Sequence, residues 1–392
     1  MKTIILSLLA FSGLILCLFT GLTLKYRRGG KFVQTGTGMV PFVSLLKPVK
    51  GLDDAMGANL ESFYHLDYPD YEILFAVDDF GDACVSLLKS FQVKYPKIST
   101  TIIATGHPPF ENPKVHKLAR MESRSRGRLL WATDSNVRVA PDSLRRLVDE
   151  YLQTDAKIVF SPIRGSSSRT LGSLMENTSL NFFTSGSIIA SWVLGRQPIL
   201  VGKSMLVERA ALETFGGFGY FKNHLAEDFL IGEAFAKGGF RVSTNYTWVT
   251  NINETGSMRT FFKRMSRWAK LRFHLRRPVY LLEILLNPLA LALLGTAVVG
   301  RGGFIILAAT AAAKIALEYL SFLFVNVEDR RRLRNHLLFP AAVLAKDLIF
   351  FAVYFAPFFS RRVDWRGGRI AIGKTTLIRI PANMDNLVYE GA

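Results

Sequence analysis

Residues 128–139 read RLLWATDSNVRV, and the reading of this stretch decides the fold. LLWAT is a short apolar run with no polar alternation, the pattern of a strand buried on both faces. It ends on Asp134, followed by Ser135 and Asn136, without the Asn-Gly or Asp-Gly pair of a tight hairpin. Three earlier runs share this form: VPFVSLLKPV (40–49), YEILFAV (71–77) and ISTTIIA (98–104). ACVSLLKSFQVKY (83–95), between them, spaces its apolar residues as a helix does. Strands alternating with helices predict an α/β domain over residues 40–250, built on a mostly parallel sheet. Ligands bind such sheets beyond the carboxyl ends of the strands. Asp78 and Asp79 follow one strand and Asp134 another. One acid at one exit reads as a helix cap or turn. Acids at two exits of one sheet predict a site. Asp134 and Asn136 offer hard oxygens two residues apart, a pair that suits a divalent cation against a diphosphate.

Further along, AEDFLIGEAFAKGGFRV (226–242) opens a helix with two acids. Glu227 and Asp228 complement the helix dipole there, and an acid at that place also serves as a general base. Ala226, Phe229 and Leu230 are expected to bury, with Glu227 and Asp228 facing a cleft. Next comes RTFFKRMSRWAKLR (259–272), which puts Arg264, Arg267 and Trp268 on one helix face. Its basic and apolar residues suit an anionic bilayer surface, and its arginines suit a phosphate. No convincing Ser–His–acid arrangement is present. His116 and His224 lie near motifs, with packing or polar roles expected.

The 392 residues carry a net charge of +18 and are 49% hydrophobic. Such an excess suits anionic lipid or phosphorylated substrates. No base-reading module accompanies it, so nucleic acid is excluded as partner. Cys17 and Cys84 make no disulfide framework or metal spacing. Residues 4–24 form an apolar run of spanning length before Lys25, Arg27 and Arg28, read as a retained anchor. Apolar stretches at roughly 280–299, 303–325 and 337–359 lie further on, interrupted by Glu283, Asn287, Lys314, Glu318, Lys346 and Asp347. VEDRRRLRNH (327–336) is basic and expected on the cytoplasmic side. A full span by the third stretch would put Arg361, Arg362, Arg366 and Arg369 outside, whereas a re-entrant or broken hairpin would keep them inside. GRIAIGKT (368–375) fits the phosphate-loop pattern, yet too little chain comes after it for an ATPase domain. Its alternation predicts a strand. Asn177, Asn245 and Asn253 begin glycosylation patterns in a domain expected to face the cytoplasm, so no modification is expected there.

In order along the chain, SLLKPVKG (44–51), FAVDDFGD (75–82), NPKV (112–115), TDSNVRV (133–139), VGKSMLVERAALETFGGF (201–218), AEDF, RMSRW (264–268) and DWRGGR (364–369) resemble the ceramide glucosyltransferase family. That family belongs among the membrane-bound, inverting, family 2-like glycosyltransferases. The resemblance implies an α/β, GT-A-type, Rossmann-like nucleotide-sugar domain with N-terminal and C-terminal membrane helices. It divides the chain into an anchor (1–28), a cytoplasmic catalytic domain (29–255), an interfacial helix (256–279), membrane segments (280–362) and a basic tail (363–392). It implies a UDP-sugar donor, with Lys47, Asp79, Lys114, Asp134, Arg264 and Arg267 in donor binding. Mg²⁺ or Mn²⁺ would rest on Asp134 and Asn136, although many relatives carry a second Asp at the latter position. Asp228 would be the base, with Arg264, Arg267 and Trp268 closing over the diphosphate. Glucose transfer from UDP-glucose to ceramide, in a bacterial inner membrane, is the expected activity. A hopanoid alcohol receiving N-acetylglucosamine is the nearest alternative. A polysaccharide synthase and a non-catalytic membrane scaffold are further ones.

Overall fold

The computed structural model describes residues 2–27, 40–108, 111–195, 199–326, 328–365 and 368–379. The four predicted strands form as β1 (Val43–Pro48), β2 (Tyr71–Val77), β3 (Ser99–Ala104) and β4 (Leu129–Thr133). They pair in parallel in the order β3-β2-β1-β4. β1 and β4 are buried along their whole length, which is why they lack polar alternation. Gly127 precedes β4 because a Cβ there would stand 2.5 Å from the backbone nitrogen of Ser44.

The chain continues through β5 (Val137–Arg138), β6 (Ile158–Phe160), β7 (Ile163–Ser166), β8 (Ser204–Glu208), β9 (Val242–Thr244) and β10 (Val249–Ile252). β8 runs antiparallel between β4 and β6, and β9 closes the seven-stranded sheet beside β6. β5, β10 and β7 make a second small sheet. β11 (Arg362–Trp365), β12 (Gly368–Ile372) and β13 (Ile378–Arg379) make a third, with β12 over the phosphate-loop pattern, as its alternation predicts.

Helices fill the intervals between these strands and extend beyond them. α1 (Lys2–Arg27) is the N-terminal apolar helix. α2 (Val85–Lys94) and α3 (Pro113–Glu122) flank the parallel strands. α3 is opened by Asn112, whose side chain accepts from the Lys114 and Val115 amides. α4 (Leu171–Ser179) and α5 (Ser185–Gly195) are joined by one wide turn, and α5 packs on α1. By sequence, α5 belongs to the soluble middle. SGSIIASWVLG is apolar all round, however, so its burial is completed by α1. α6 (Glu227–Lys237) carries the paired acids, and α7 (Met258–Leu275) carries RMSRW behind a Ser257 cap.

Among the described residues, three helices are long and apolar enough to cross a membrane. They are Lys2–Tyr26, Arg301–Val325 and Leu333–Phe359. Of these, Arg301–Val325 is α9. The preceding stretch is broken: Arg277–Leu286 and Pro288–Val299 meet at 72°. Pro288 comes directly after Asn287, which caps the next turn by accepting from the Ala290 amide. The second half of this stretch, α8 (Pro288–Val299), packs on α9.

The third stretch opens as α10 (Leu333–Tyr354), and both of its ends return to the catalytic half. At its start, Arg334 and Asn335 donate to the Arg169 and Ser168 carbonyls. Beyond its end, the Arg362 carbonyl accepts from Lys270 Nζ at 2.7 Å.

Candidate functional site

β1, β2 and β4 deliver their carboxyl ends to one edge, where α3, β8 and α6 also begin or end. At its centre is Lys114, in the first turn of α3. Its ammonium lies 3.1 Å from Asp134 Oδ1 and 3.1 Å from Glu227 Oε1, and donates to the Gly202 carbonyl at 3.1 Å. Burial alone would lower the Lys114 pKa, but the Asp134, Glu227 and Asp228 charges drive it above the ordinary lysine value. Asp134 is held far below the carboxylate range, because Lys114 and Lys203 overcome the penalty of burial.

Asp228 projects from the first turn of α6. Its Oδ2 accepts from the Gly202 amide at 2.7 Å, and its Oδ1 from the Phe229 amide at 2.8 Å. Gly202 thus touches both acid and lysine through its backbone. A Cβ on it would stand 2.6 Å from Lys114 Nζ and 3.2 Å from Asp228 Oδ2. We expect Gly202→Ala to weaken UDP binding and transfer together by about tenfold or more, since a misplacement near 1 Å is costly in such sites. Unchanged titration of UDP and unchanged turnover by this variant would contradict that packing.

Glu227 differs from its expected place. It is buried rather than facing the cleft, because Asn112 Nδ2 donates to it at 2.9 Å beside Lys114. Burial raises its pKa, with Lys114 opposing and Asp228 reinforcing the rise. Phe229 and Leu230, expected to bury, stay half-buried.

The strand exits also separate two neighbouring acids. Asp78 is pinned between Lys117 at 2.6 Å and Lys50 at 3.0 Å, with His107 at 3.4 Å. Although burial would raise it, those lysines hold its pKa at about 2. Asp79 is exposed, and its carboxylate folds onto the Gly81 amide at 2.7 Å. Lys47 is fully buried beneath the strand exit, donating to Thr133 Oγ1 at 2.7 Å and to the Asp134 carbonyl at 3.3 Å. Its ammonium is 3.3 Å from the Phe63 ring centroid, and burial pulls its pKa well down. It braces the exit from below.

The expected metal pair is already engaged. Lys203, on the turn before β8, lies 2.8 Å from Asp134 Oδ2 and donates to Asn136 Oδ1 at 2.9 Å. One ammonium therefore bridges the two oxygens that a divalent cation would take. Among the described residues, no three His, Cys, Asp or Glu side chains converge to hold a metal. As arranged, this donor set does not fit Mg²⁺ or Mn²⁺ without displacing Lys203. VGKS contained the signal, but only the antiparallel β4–β8 pairing, Thr133 opposite Ser204, brings Lys203 to Asp134.

α7 closes another side. Arg264 pairs with Glu176 of α4 and lies in the field of Asp53, which accepts from Ser135 beside Asp134. Arg267 and Trp268 are half-buried, and Trp268 packs between the sheet core and the membrane helices. His116 hydrogen-bonds the Thr105 carbonyl and His224 the Thr375 carbonyl. Asn177, Asn245 and Asn253 are buried, so the glycosylation patterns are inaccessible.

Comparison with known proteins agrees with this architecture. The model of glycosyl transferase family 21 matches residues 5–378. Ceramide glucosyltransferase 3 of Caenorhabditis elegans is 25% identical over 260 residues, covering 66% of this chain and 56% of its own length. Ceramide glucosyltransferase 1 of the same organism is 27% identical over 236 residues, covering 59% and 50%. The chain therefore spans about half the length of these curated relatives. Among solved structures, the mannosyltransferase PcManGT from Pyrobaculum calidifontis in complex with GDP-Man and Mn²⁺ has a TM-score of 0.51 at 16% identity. That match covers 89% of this chain and 98% of the mannosyltransferase, and it places the α/β sheet in the GT-A-like fold.

Proposed function

Because the chain belongs to glycosyl transferase family 21, we propose that it moves a sugar from a UDP-sugar to a membrane lipid with inversion, glucose to ceramide being the best-supported pair. The relatives named ceramide glucosyltransferase support that pair. The observation that carries the chemistry is the shared contact set of Lys114 and Gly202, which couples Asp228 to Asp134 through two residues. In this reading the base Asp228 and the two lysines that meet the diphosphate, Lys114 and Lys203, lie at one strand edge.

Asp228 is half-exposed and free to meet a hydroxyl, whereas Glu227 is enclosed. Asp228 takes the proton of the lipid hydroxyl as its oxygen attacks the anomeric carbon. UDP leaves from the opposite face, so an α-linked donor yields a β-glycoside with no covalent intermediate. In this reading Lys114 and Lys203 meet the charge that gathers on the leaving diphosphate, and Arg264 and Arg267 of α7 add to it. No step is assigned to a metal, because Lys203 takes the oxygens of the expected pair. Chelation is therefore expected to leave UDP affinity and transfer within about threefold. A loss well beyond that, restored by Mn²⁺, would return the cation to Asp134 and Asn136.

The catalytic half is assigned to the cytoplasmic side. Asp329, in the basic loop between α9 and α10, accepts from the Ser168 amide at 2.7 Å and hydroxyl at 2.6 Å. The loop and the α/β domain therefore share a side, and basic loops favour the cytoplasm. Purified protein given mixed lipid acceptors and several UDP-sugars should yield a β-glucosyl N-acyl lipid by mass spectrometry. An N-acetylglucosaminyl polycyclic alcohol as the product would favour a hopanoid acceptor instead. The absence of any glycolipid, with UDP still bound, would sink the reading.

A further inference from the structure

α4, the wide turn Leu180–Thr184 and α5 follow one another without a break. No charged residue occurs from Asn177 to Gly195. Serines, threonines and asparagines interrupt the apolar residues there, so the stretch does not read as a span. Several of these polar groups are paired within the protein. Ser185 donates to the Ile163 carbonyl, and Asn181 accepts from the Gly165 amide and donates to its carbonyl. Side chains paired in this way are tolerated among membrane helices.

The neighbours of this stretch fix its depth. Tyr26 donates to the Asn245 carbonyl, which marks where α1 meets the α/β domain. Phe19, seven positions before Tyr26, is about 10 Å further along the helix axis. There it meets Gly186, where a Cβ would stand 2.9 Å from the Phe19 ring. The Phe183 ring lies 5.7 Å from that of Phe350 of α10. The centroid of the Phe182 ring lies 5.3 Å from the ammonium of Lys314, halfway along α9. α1, α9 and α10 belong to the three apolar helices of spanning length. Contacts to all three, well inside their ends, set the wide turn and the start of α5 among the spans.

α1 covers only part of α5. Ile188, Ile189 and Ala190 are buried, but Val193 and Leu194 in the last turn are exposed, Leu194 by 63%. On a helix lodged among membrane spans, that surface is continuous with theirs, and acyl chains shield it from water. We propose that α5 and the wide turn before it lie inside the bilayer, with Val193 and Leu194 against phospholipid acyl chains. The proposal is independent of which sugar or acceptor the protein uses. It gives the α/β half a membrane helix of its own. From Gly195 to Gly202 the chain advances seven residues, which reach at most about 25 Å. Gly202 touches both Asp228 and Lys114. The strand edge is therefore tethered near the bilayer through α5.

The test uses the full-length protein in nanodiscs of neutral phospholipid, part of it carrying a diazirine in mid-acyl chain. Crosslinked peptides should come from residues 185–195 as well as from α1 and α9. They should not come from α2, where Val93 is 82% exposed. A nitroxide gives a second reading, with Leu194→Cys labelled in a Cys17→Ser background, since Cys84 is buried. Dissolved oxygen should relax this nitroxide more than a water-soluble nickel chelate does, as at Phe304→Cys in α9, with the order reversed at Val93→Cys. Dominance of the chelate at 194 would put the turn in water, and exclusion of both relaxers would put it against protein. Either result overturns the proposal. So does crosslinking of α1 and α9 without residues 185–195, which needs no variant to fold. If α1 and α9 also escape the diazirine, the membrane reading of the whole chain fails together with the proposal, a result distinct from misplacement of α5 alone.

Discussion

Asp228→Asn is expected to lower glycolipid formation by at least about 10²-fold while the UDP-sugar still binds. The amide keeps the size of the side chain, and its oxygen still accepts from Gly202. What it loses is the lone pair that receives the hydroxyl proton. Because Asp228 contacts the donor pole only through Gly202 and Lys114, UDP affinity should stay within about threefold. Single-turnover transfer at saturating acceptor separates the chemical step from binding. Transfer near the original rate would pass the base role to Glu227, which is the less accessible of the two acids.

Lys114→Met is expected to have the second-largest effect, on both activity and folding. Removing one partner of a buried ion pair costs about 3–5 kcal/mol, because the other charge is left uncompensated. Here Glu227, Asp134 and Asp228 would lose their shared cation. The loss also gives the pH dependence a sign. Glu227 already has a raised pKa in the folded protein, and losing Lys114 raises it further. A carboxyl whose folded pKa exceeds its unfolded value favours folding below the unfolded pKa, and the advantage is lost as pH rises. The variant should therefore be most destabilised, relative to the unaltered protein, at mildly alkaline pH, and should recover part of the difference toward pH 5. Thermal unfolding at pH 5.5 and pH 8 checks this. Equal melting temperatures for the two proteins at both values would show that Lys114 neither compensates these acids nor organises the pole.

β1, β2 and β4 were legible because they are buried on both faces and apolar runs mark them, whereas β3, at the sheet edge, is largely exposed and showed itself by its β-branched residues. β1 to β4 fall within a residue or two of their expected bounds at most ends. Asp134 and Asp228 were legible as strand-exit and helix-start acids, since position along an element is local information. Lys203 was not, because it reaches Asp134 through an antiparallel neighbour far away in sequence. Adjacent acids also defeat sequence reading: Asp78 and Asp79 have equal standing in FAVDDFGD, and only the lysines from other elements distinguish them. Glu227 was misplaced for a related reason, since Asn112 and Lys114 arrive from α3. The break at Asn287–Pro288 was visible as residue types. Its consequence was not, because the 72° angle at which the two halves meet depends on what each half packs against.

The small third sheet has a bearing on how the protein is made. Leu225 donates to the Thr376 carbonyl, Ala226 to the Thr376 hydroxyl, and Ile378 to the Asn223 carbonyl. The residues just before Glu227 are thus clasped by chain that the ribosome makes only after all the apolar stretches. The α/β half can collapse early, but the helix bearing Asp228 gains this support only once those stretches have been handed to the bilayer. A nascent chain therefore has no finished site while its membrane insertion is still in progress. Truncation between α10 and Thr376 would yield an inserted, folded but poorly active protein. Bulky insertions between β12 and β13 would act on catalysis from a place far along the gene.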